Sequence, residues 1–167
     1  GLVLFLLLMS SCKSIETYYQ GYKAGSENTT SLITAENQQG RWKTFDIDLN
    51  YQYDYAGNLL KISGTIDLGL YYEMNTSRID RLDAYLFFLD DKARVIETAA
   101  LLSSLPFYAE ENLTFTKELK VPTATDSIAF GYYGEARRDG GGGSDPHGGG
   151  GGGGLDYFYD LPKKVKS

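Results

Sequence analysis

Cysteine and histidine are almost absent from this chain of 167 residues, in which Cys12 is the sole cysteine and His147 the sole histidine. One cysteine cannot form a disulfide within the chain, so packing alone must hold the fold together. One histidine leaves any serine nucleophile with a single candidate base, which argues against hydrolase chemistry. We therefore expect a non-catalytic protein.

Positive charge is also scarce. The formal net charge is −6, and without the three lysines of the basic tail, residues 163–167, it would be −9. Proteins that bind nucleic acid need a basic footprint. The acidic balance therefore predicts no nucleic-acid partner.

No apolar run is long enough to cross a bilayer. Gly1 to Met9 is almost wholly aliphatic and uncharged, yet it falls far short of the roughly 20 apolar residues that a spanning helix needs. The run is typical of the apolar region of a secretory signal. We expect residues 1–11 to be such a signal, with its first residues missing.

The apolar run ends in Met9-Ser10-Ser11-Cys12, which resembles the lipobox of bacterial lipoproteins. The resemblance implies that Cys12 is alkylated with diacylglycerol, that the signal is cleaved before it and that its amino group is acylated. Several acyl chains hold a protein durably at a membrane. The alternative is an ordinary or uncleaved signal whose cysteine is incidental.

The residue after the anchor cysteine is Lys13. In enteric-type bacteria, Asp at that position resembles an inner-membrane retention signal, and this chain lacks it. The resemblance therefore implies the bacterial cell envelope, and the outer membrane in particular.

The remaining chain divides into two regions of different composition. Residues 12–40 are polar without a sustained period and predict the lipid anchor and a flexible tether, and residues 41–162 predict one β domain.

Strict alternation marks the first two strands of that domain. "FDIDLNYQYDY" places Phe45 on the apolar face and Asp46 on the polar one, and "LLKISGTIDLGL" extends the apolar face to Leu70. The turn "DYAGN" between them predicts a hairpin. The residues that we expect between two sheets are Ile47, Leu49, Ile62, Ile66, Leu86, Phe115 and Phe130.

Later segments continue the strand pattern as far as "SIAFGYYGEA" and "LDYFYDLP", which we expect to pair as a hairpin. Seven short strands without a long amphipathic helix predict an all-β fold, an antiparallel immunoglobulin-like β-sandwich. The tyrosine pairs Tyr18-Tyr19, Tyr71-Tyr72 and Tyr132-Tyr133 predict one ring in the core and one at the rim.

The segment "LDAYLFFLDDKARVI", together with "SGTID" before it, resembles the FxLYD-type domains of prokaryotic envelope proteins. The likeness spans Leu59 to Phe130. Such domains have no established catalytic residues, so the likeness implies a binding or spacer module.

A long glycine-rich stretch separates the last two predicted strands. It lacks the Lys and Ser/Thr that follow phosphate-binding glycines, so nucleotide binding is rejected, and we expect no cofactor. We expect a flexible loop, and the alternatives are a metal site, which we do not favour, and a partner-binding loop. The candidate partner-binding residues are Arg137, Arg138, Asp139, Asp145 and His147.

The acidic pairs Asp90-Asp91 and Glu110-Glu111 lie at predicted turns, where acidic residues are favoured for turn formation and need no catalytic role.

Two function classes remain open. One is an envelope lipoprotein that binds another envelope protein or serves an assembly. The other is a lipoprotein that binds a small ligand or glycan with exposed tyrosines and the glycine-rich loop.

Overall fold

The computed structural model describes residues 14–138 and 154–166, so Cys12, Asp139, Asp145 and His147 lie outside the described residues. No helix in these two ranges is long and apolar enough to span a membrane. The helices and strands are α1 Ile15–Tyr18, β1 Thr29–Ser31, β2 Ala35–Lys43, β3 Ile47–Ala56, β4 Leu59–Leu68, α2 Leu70–Asn75, β5 Arg78–Leu89, β6 Val95–Ser103, β7 Phe107–Tyr108, β8 Leu113–Lys120, β9 Ser127–Arg137 and β10 Leu155–Asp160.

The strands form two antiparallel sheets. The four-stranded sheet has the order β2-β3-β4-β8. The six-stranded sheet has the order β1-β9-β5-β6, with β10 beside β9 and β7 beside β5. The all-β antiparallel sandwich is therefore confirmed. The described chain has ten strands where the sequence predicts about seven, because β1, β2 and β7 lack the apolar alternation that marks the others.

The prediction of a flexible tether over residues 12–40 is wrong for the part that the structure describes. β1 pairs with β9, β2 pairs with β3, and the ring of Tyr19 lies edge-on to Phe87 with centroids 5.5 Å apart. β1 and β2 are held mainly by backbone hydrogen bonds, which polar residues make as well as apolar ones. Because their residues are mostly polar, these two strands could not be recognised from the sequence pattern.

The β3–β4 hairpin forms the centre of the core, and its turn contains Gly57 at a φ of 63°, which glycine adopts without steric cost. All seven residues predicted between the sheets are buried, each at most 6% exposed: Ile47, Leu49, Ile62, Ile66, Leu86, Phe115 and Phe130. Two residues that the alternation placed inside are exposed instead, Phe45 at 74% and Leu70 at 68%. Both lie just outside their strands, where the alternation no longer applies.

The predicted hairpin of the last two strands is also confirmed. β9 and β10 run antiparallel from Arg137 opposite Leu155 to Tyr132 opposite Asp160. The ring of Phe158 lies directly on Gly134, where any side chain would collide with it. The glycine-rich segment therefore connects two neighbouring strands at one end of the sandwich.

Replacing residues 139–153 with an Asn-Gly turn should leave the sandwich folded. Arg138 and Gly154 already form a backbone hydrogen bond of 3.0 Å across the hairpin, so a two-residue turn can join them. Closure entropy grows only with the logarithm of loop length, so the free energy of unfolding should change by about 1 kcal/mol or less. Urea denaturation followed by far-ultraviolet circular dichroism measures this change.

An unfolded variant would contradict this expectation. So would a stoichiometric metal that is present in the full chain and lost after His147→Ala, as measured by plasma mass spectrometry. Either result would show that the replaced segment contains an ordered site.

Candidate binding surfaces

Arg137 and Arg138, the two predicted loop residues that the structure describes, are each paired with a carboxylate. Arg138 donates two hydrogen bonds of 2.6 Å to Asp156, and Arg137 donates to Asp80 at 3.0 Å. The hydrogen bonds from Arg138 lower the pKa of the Asp156 carboxyl. Since both charges are matched within the domain, these arginines fix the base of the hairpin rather than offer free positive charge.

The acidic pairs act as turn residues in the described structure. The Asp90 carboxylate accepts the backbone N–H groups of Lys92 and Arg94, both at 2.9 Å, and Glu111 accepts that of Tyr108 at 3.1 Å. In residues 14–138 and 154–166, no three His, Cys, Asp or Glu side chains are close enough to hold a metal ion.

A half-buried carboxylate in the turn between β2 and β3 connects the two sheets and α2. Tyr132 of β9 donates its hydroxyl to one oxygen of Asp46 at 2.6 Å, and Tyr72 of α2 donates to the other at 3.0 Å. Thr44 accepts the backbone N–H groups of Asp46 and Ile47 at 3.1 Å each. We call Thr44, Asp46, Tyr72 and Tyr132 the Asp46 clamp.

The Asp46 clamp explains why Phe45 is exposed. The sequence pattern placed Asp46 outside and Phe45 inside, whereas the structure turns the carboxylate inward and the ring outward. Gly69, just before α2, donates its N–H to the Asp46 carbonyl at 2.6 Å, and a side chain there would collide with the Phe45 carbonyl. The glycine thus lets α2 begin against the turn.

Tyrosine burial follows the predicted two-sided pattern at two of the pairs. Tyr72 is 5% exposed and Tyr132 is 2% exposed, whereas their neighbours Tyr71 and Tyr133 face outward. These two tyrosine pairs therefore predicted correctly that one ring of each pair lies in the core. They gave no indication of the carboxylate that binds the hydroxyls of both inward rings.

A group of apolar side chains lies exposed where the Asp46 clamp meets α2. Phe45, Leu70 and Met74 are 74%, 68% and 74% exposed, and the ring of Tyr71 lies 5.7 Å from that of Phe45. A depression of about 490 Å³ runs between α2 and the β2–β3 turn. We call Phe45, Leu70, Tyr71 and Met74 the apolar end.

A second exposed group lies on the outer side of the six-stranded sheet. Phe158 points inward, so its neighbours Tyr157 and Tyr159 point outward, and the ring of Tyr133 lies 6.4 Å from that of Tyr157. The Arg81 guanidinium lies 5.8 Å from the centre of the Tyr133 ring. We call these three tyrosines with Arg81 the tyrosine face.

No protein-family model, curated protein or solved structure matches this chain. Functional inference therefore depends on the two exposed surfaces and on the sequence resemblances.

The Asp46 clamp predicts a loss of stability at alkaline pH. Burial, followed by the contact with Asp46, raises the pKa of both Tyr72 and Tyr132 above the ordinary value. As the pH rises, the unfolded chain therefore loses the hydroxyl protons of these two tyrosines before the folded chain does, at about pH 10. The clamp's stabilisation is complete below that pH and declines above it, by at most about 1.4 kcal/mol per pH unit for each tyrosine.

Urea denaturation between pH 8 and pH 11.5 tests this expectation. The free energy of unfolding should fall less steeply above pH 10 for Tyr132→Phe than for the original chain. Tyr159→Phe, at a position 64% exposed, is the matched control and should keep the original slope. Equal slopes for all three chains would show that the tyrosine pKa values do not contribute to stability.

Proposed function

We propose that this protein is a membrane-anchored, non-catalytic lipoprotein of the bacterial cell envelope whose sandwich binds another envelope protein. The apolar end is the observation that carries this proposal. Three large apolar side chains there are each about 70% exposed, at a site where the Asp46 clamp fixes the backbone. A rigid support with solvent-exposed apolar groups is what a protein-binding surface requires.

The surroundings of the apolar end also favour a protein partner. Lys43 and Glu73 line the adjoining depression, so the apolar centre has a charged rim. Protein interfaces share this arrangement of an apolar, aromatic centre within a polar border. The flexible thioether of Met74 suits adaptation to a partner's surface.

The sequence resemblances supply the anchor and the class of module. Met9 to Cys12 resembles a lipobox, which supports acylation at Cys12, and Lys13 supports the outer membrane. The likeness to FxLYD-type domains supports a binding or spacer role. Arg137 and Arg138 are already paired with carboxylates of the domain. The apolar end is therefore a stronger candidate contact site than the glycine-rich loop.

Glycan binding is the second candidate, and the tyrosine face favours it. Tyr157 and Tyr159 are 58% and 64% exposed on one side of β10, with the Tyr133 ring beside them. Exposed tyrosine rings with a nearby arginine suit sugar contacts as well as protein contacts. Of the two features that the sequence suggested for glycan binding, exposed tyrosines and the glycine-rich loop, this surface offers the tyrosines.

Cys12→Ala should release the protein from membranes into the periplasmic fraction, because no acyl chains could be attached at this position. Fractionation of cells and intact-mass measurement of the purified protein test this prediction. Ser14→Ala, which leaves residues 9–12 intact, is the control. Unchanged membrane partitioning of Cys12→Ala, with no acyl mass on the original chain, would contradict lipid anchoring.

A photoreactive amino acid at position 45 or 74 should form an adduct of one defined mass in intact cells. The same amino acid at Thr116, which is exposed on the outer side of the four-stranded sheet, is the control and should form none. Leu70→Ser should reduce the adduct from position 74 by about tenfold, since removing an apolar contact at an interface centre typically costs over 1 kcal/mol.

The two candidate functions give opposite results. If the apolar end binds a protein, Tyr157→Ser with Tyr159→Ser leaves the adduct unchanged. If the domain binds a glycan through the tyrosine face, the same double variant abolishes binding to isolated envelope polysaccharide, while Phe45→Ser does not. Adducts at 45, 74 and 116 of equal yield would contradict a specific apolar end.

A further inference from the structure

The chain reaches the sandwich almost immediately after Cys12. Ser14 precedes α1 and accepts the N–H groups of Thr17 and Tyr18 at 3.1 Å each. Ser14 is the second residue after Cys12 in the sequence, and two residues can span at most about 7 Å. Little free chain is left to lift the domain away from a lipid attached at Cys12.

The segment after α1 is fixed to the end of the six-stranded sheet where β5 turns into β6. Gly21 donates its N–H to the Val95 carbonyl at 2.9 Å, and Lys23 and Lys163 exchange backbone hydrogen bonds of 2.9 and 3.0 Å. Tyr19 and Leu161 pack on the same small core cluster as Phe87. Residues 14–24 and 161–166 thus share one side of the domain.

Unpaired lysines concentrate on this side. Among the described residues, seven cations have no carboxylate within 4.0 Å, and two of them, Lys117 and Lys120, lie on β8. The five others lie beside residues 14–24 or in the neighbouring β5–β6 turn, and all are exposed: Lys23, Lys92, Lys163, Lys164 and Lys166.

Exposed apolar side chains accompany these lysines. Ile15, Tyr18 and Val165 are 38%, 51% and 56% exposed. Six carboxylates lie on the same side, and with Arg94 added to the five lysines the local charges balance, in a chain whose net charge is −6. The carboxylates are Glu16, Glu27, Asp90, Asp91, Asp126 and Asp160. We call the five unpaired lysines together with Ile15, Tyr18 and Val165 the anchor-side surface.

We propose that the anchor-side surface lies directly on an anionic phospholipid bilayer, with its lysines on the headgroups. The inference rests on the proposed acylation of Cys12. A cluster of lysines beside a lipid anchor supplies the second attachment that a membrane protein of this type uses, and tyrosine and short apolar side chains suit the interface.

The apolar end belongs to other elements than the anchor-side surface, namely α2 and the β2–β3 turn. Contact between the anchor-side surface and the bilayer therefore leaves the apolar end open to a second envelope protein.

A single label on the lipidated protein tests the inference. Cys12 is the sole cysteine and acylation consumes it, so Val165→Cys provides one labelling site. Thr116→Cys and Met74→Cys are the matched control sites. Each labelled protein is reconstituted in phosphatidylcholine vesicles with or without about 30% phosphatidylglycerol, and quenching by headgroup nitroxides is measured.

We expect strong quenching at position 165 and little at 116 or 74 in the anionic vesicles. Lys163→Gln with Lys164→Gln should shift the seated population by about fivefold for each lysine, because each contributes about 1 kcal/mol near an anionic surface. Lys117→Gln with Lys120→Gln is the control pair and should leave the quenching unchanged.

Two results would overturn the inference while leaving the anchor intact. One is weak quenching at 165 in a protein whose mass shows the acyl chains. The other is equal quenching in neutral vesicles and in the Lys163/Lys164 variant, which would show that the short link acts without headgroup contacts. Absence of acyl mass would instead refute the proposed anchor itself.

Discussion

The Asp46 carboxylate is the constraint on which one whole end of this sandwich depends. It joins the β2–β3 turn of the four-stranded sheet to Tyr132 of the six-stranded sheet and to Tyr72 of α2. A carboxylate withdrawn from water is costly unless both oxygens have donors, and here each oxygen has a tyrosine hydroxyl. Satisfying Asp46 turns Phe45 outward, so the exposed apolar end results from a polar requirement inside.

Local alternation was enough to predict the parts of the fold that bury one face of a strand. The β3–β4 hairpin and the β9–β10 hairpin follow from it, because each strand shows its own period of two. β2 has a single buried residue, Trp42, and is held at its edge by backbone hydrogen bonds that no composition reveals. The reversal at Phe45 and Asp46 depends on Tyr132, 86 residues later, and no local pattern contains it.

The candidate sites differ from the expected ones for a related reason. Sequence reasoning favoured the charged residues flanking the glycines, but Arg137 and Arg138 have carboxylate partners on β5 and β10. It assigned Phe45 and Leu70 to the core because apolar residues in an alternating stretch usually lie there. Only their exposure in the folded chain distinguishes a surface group from a core group, so the apolar end could be recognised only from the three-dimensional structure.

Two separate surfaces give the proposed assembly a definite geometry. The apolar end lies on α2 and the β2–β3 turn, and the anchor-side surface lies on residues 14–24, the β5–β6 turn and residues 161–166. A long flexible tether would let the binding surface sample a large volume at many orientations, and the effective concentration of a partner site would fall accordingly. A domain seated on the bilayer through residues 14–24 instead presents the apolar end at one height and one orientation, which selects partners whose own site lies at that distance from the membrane.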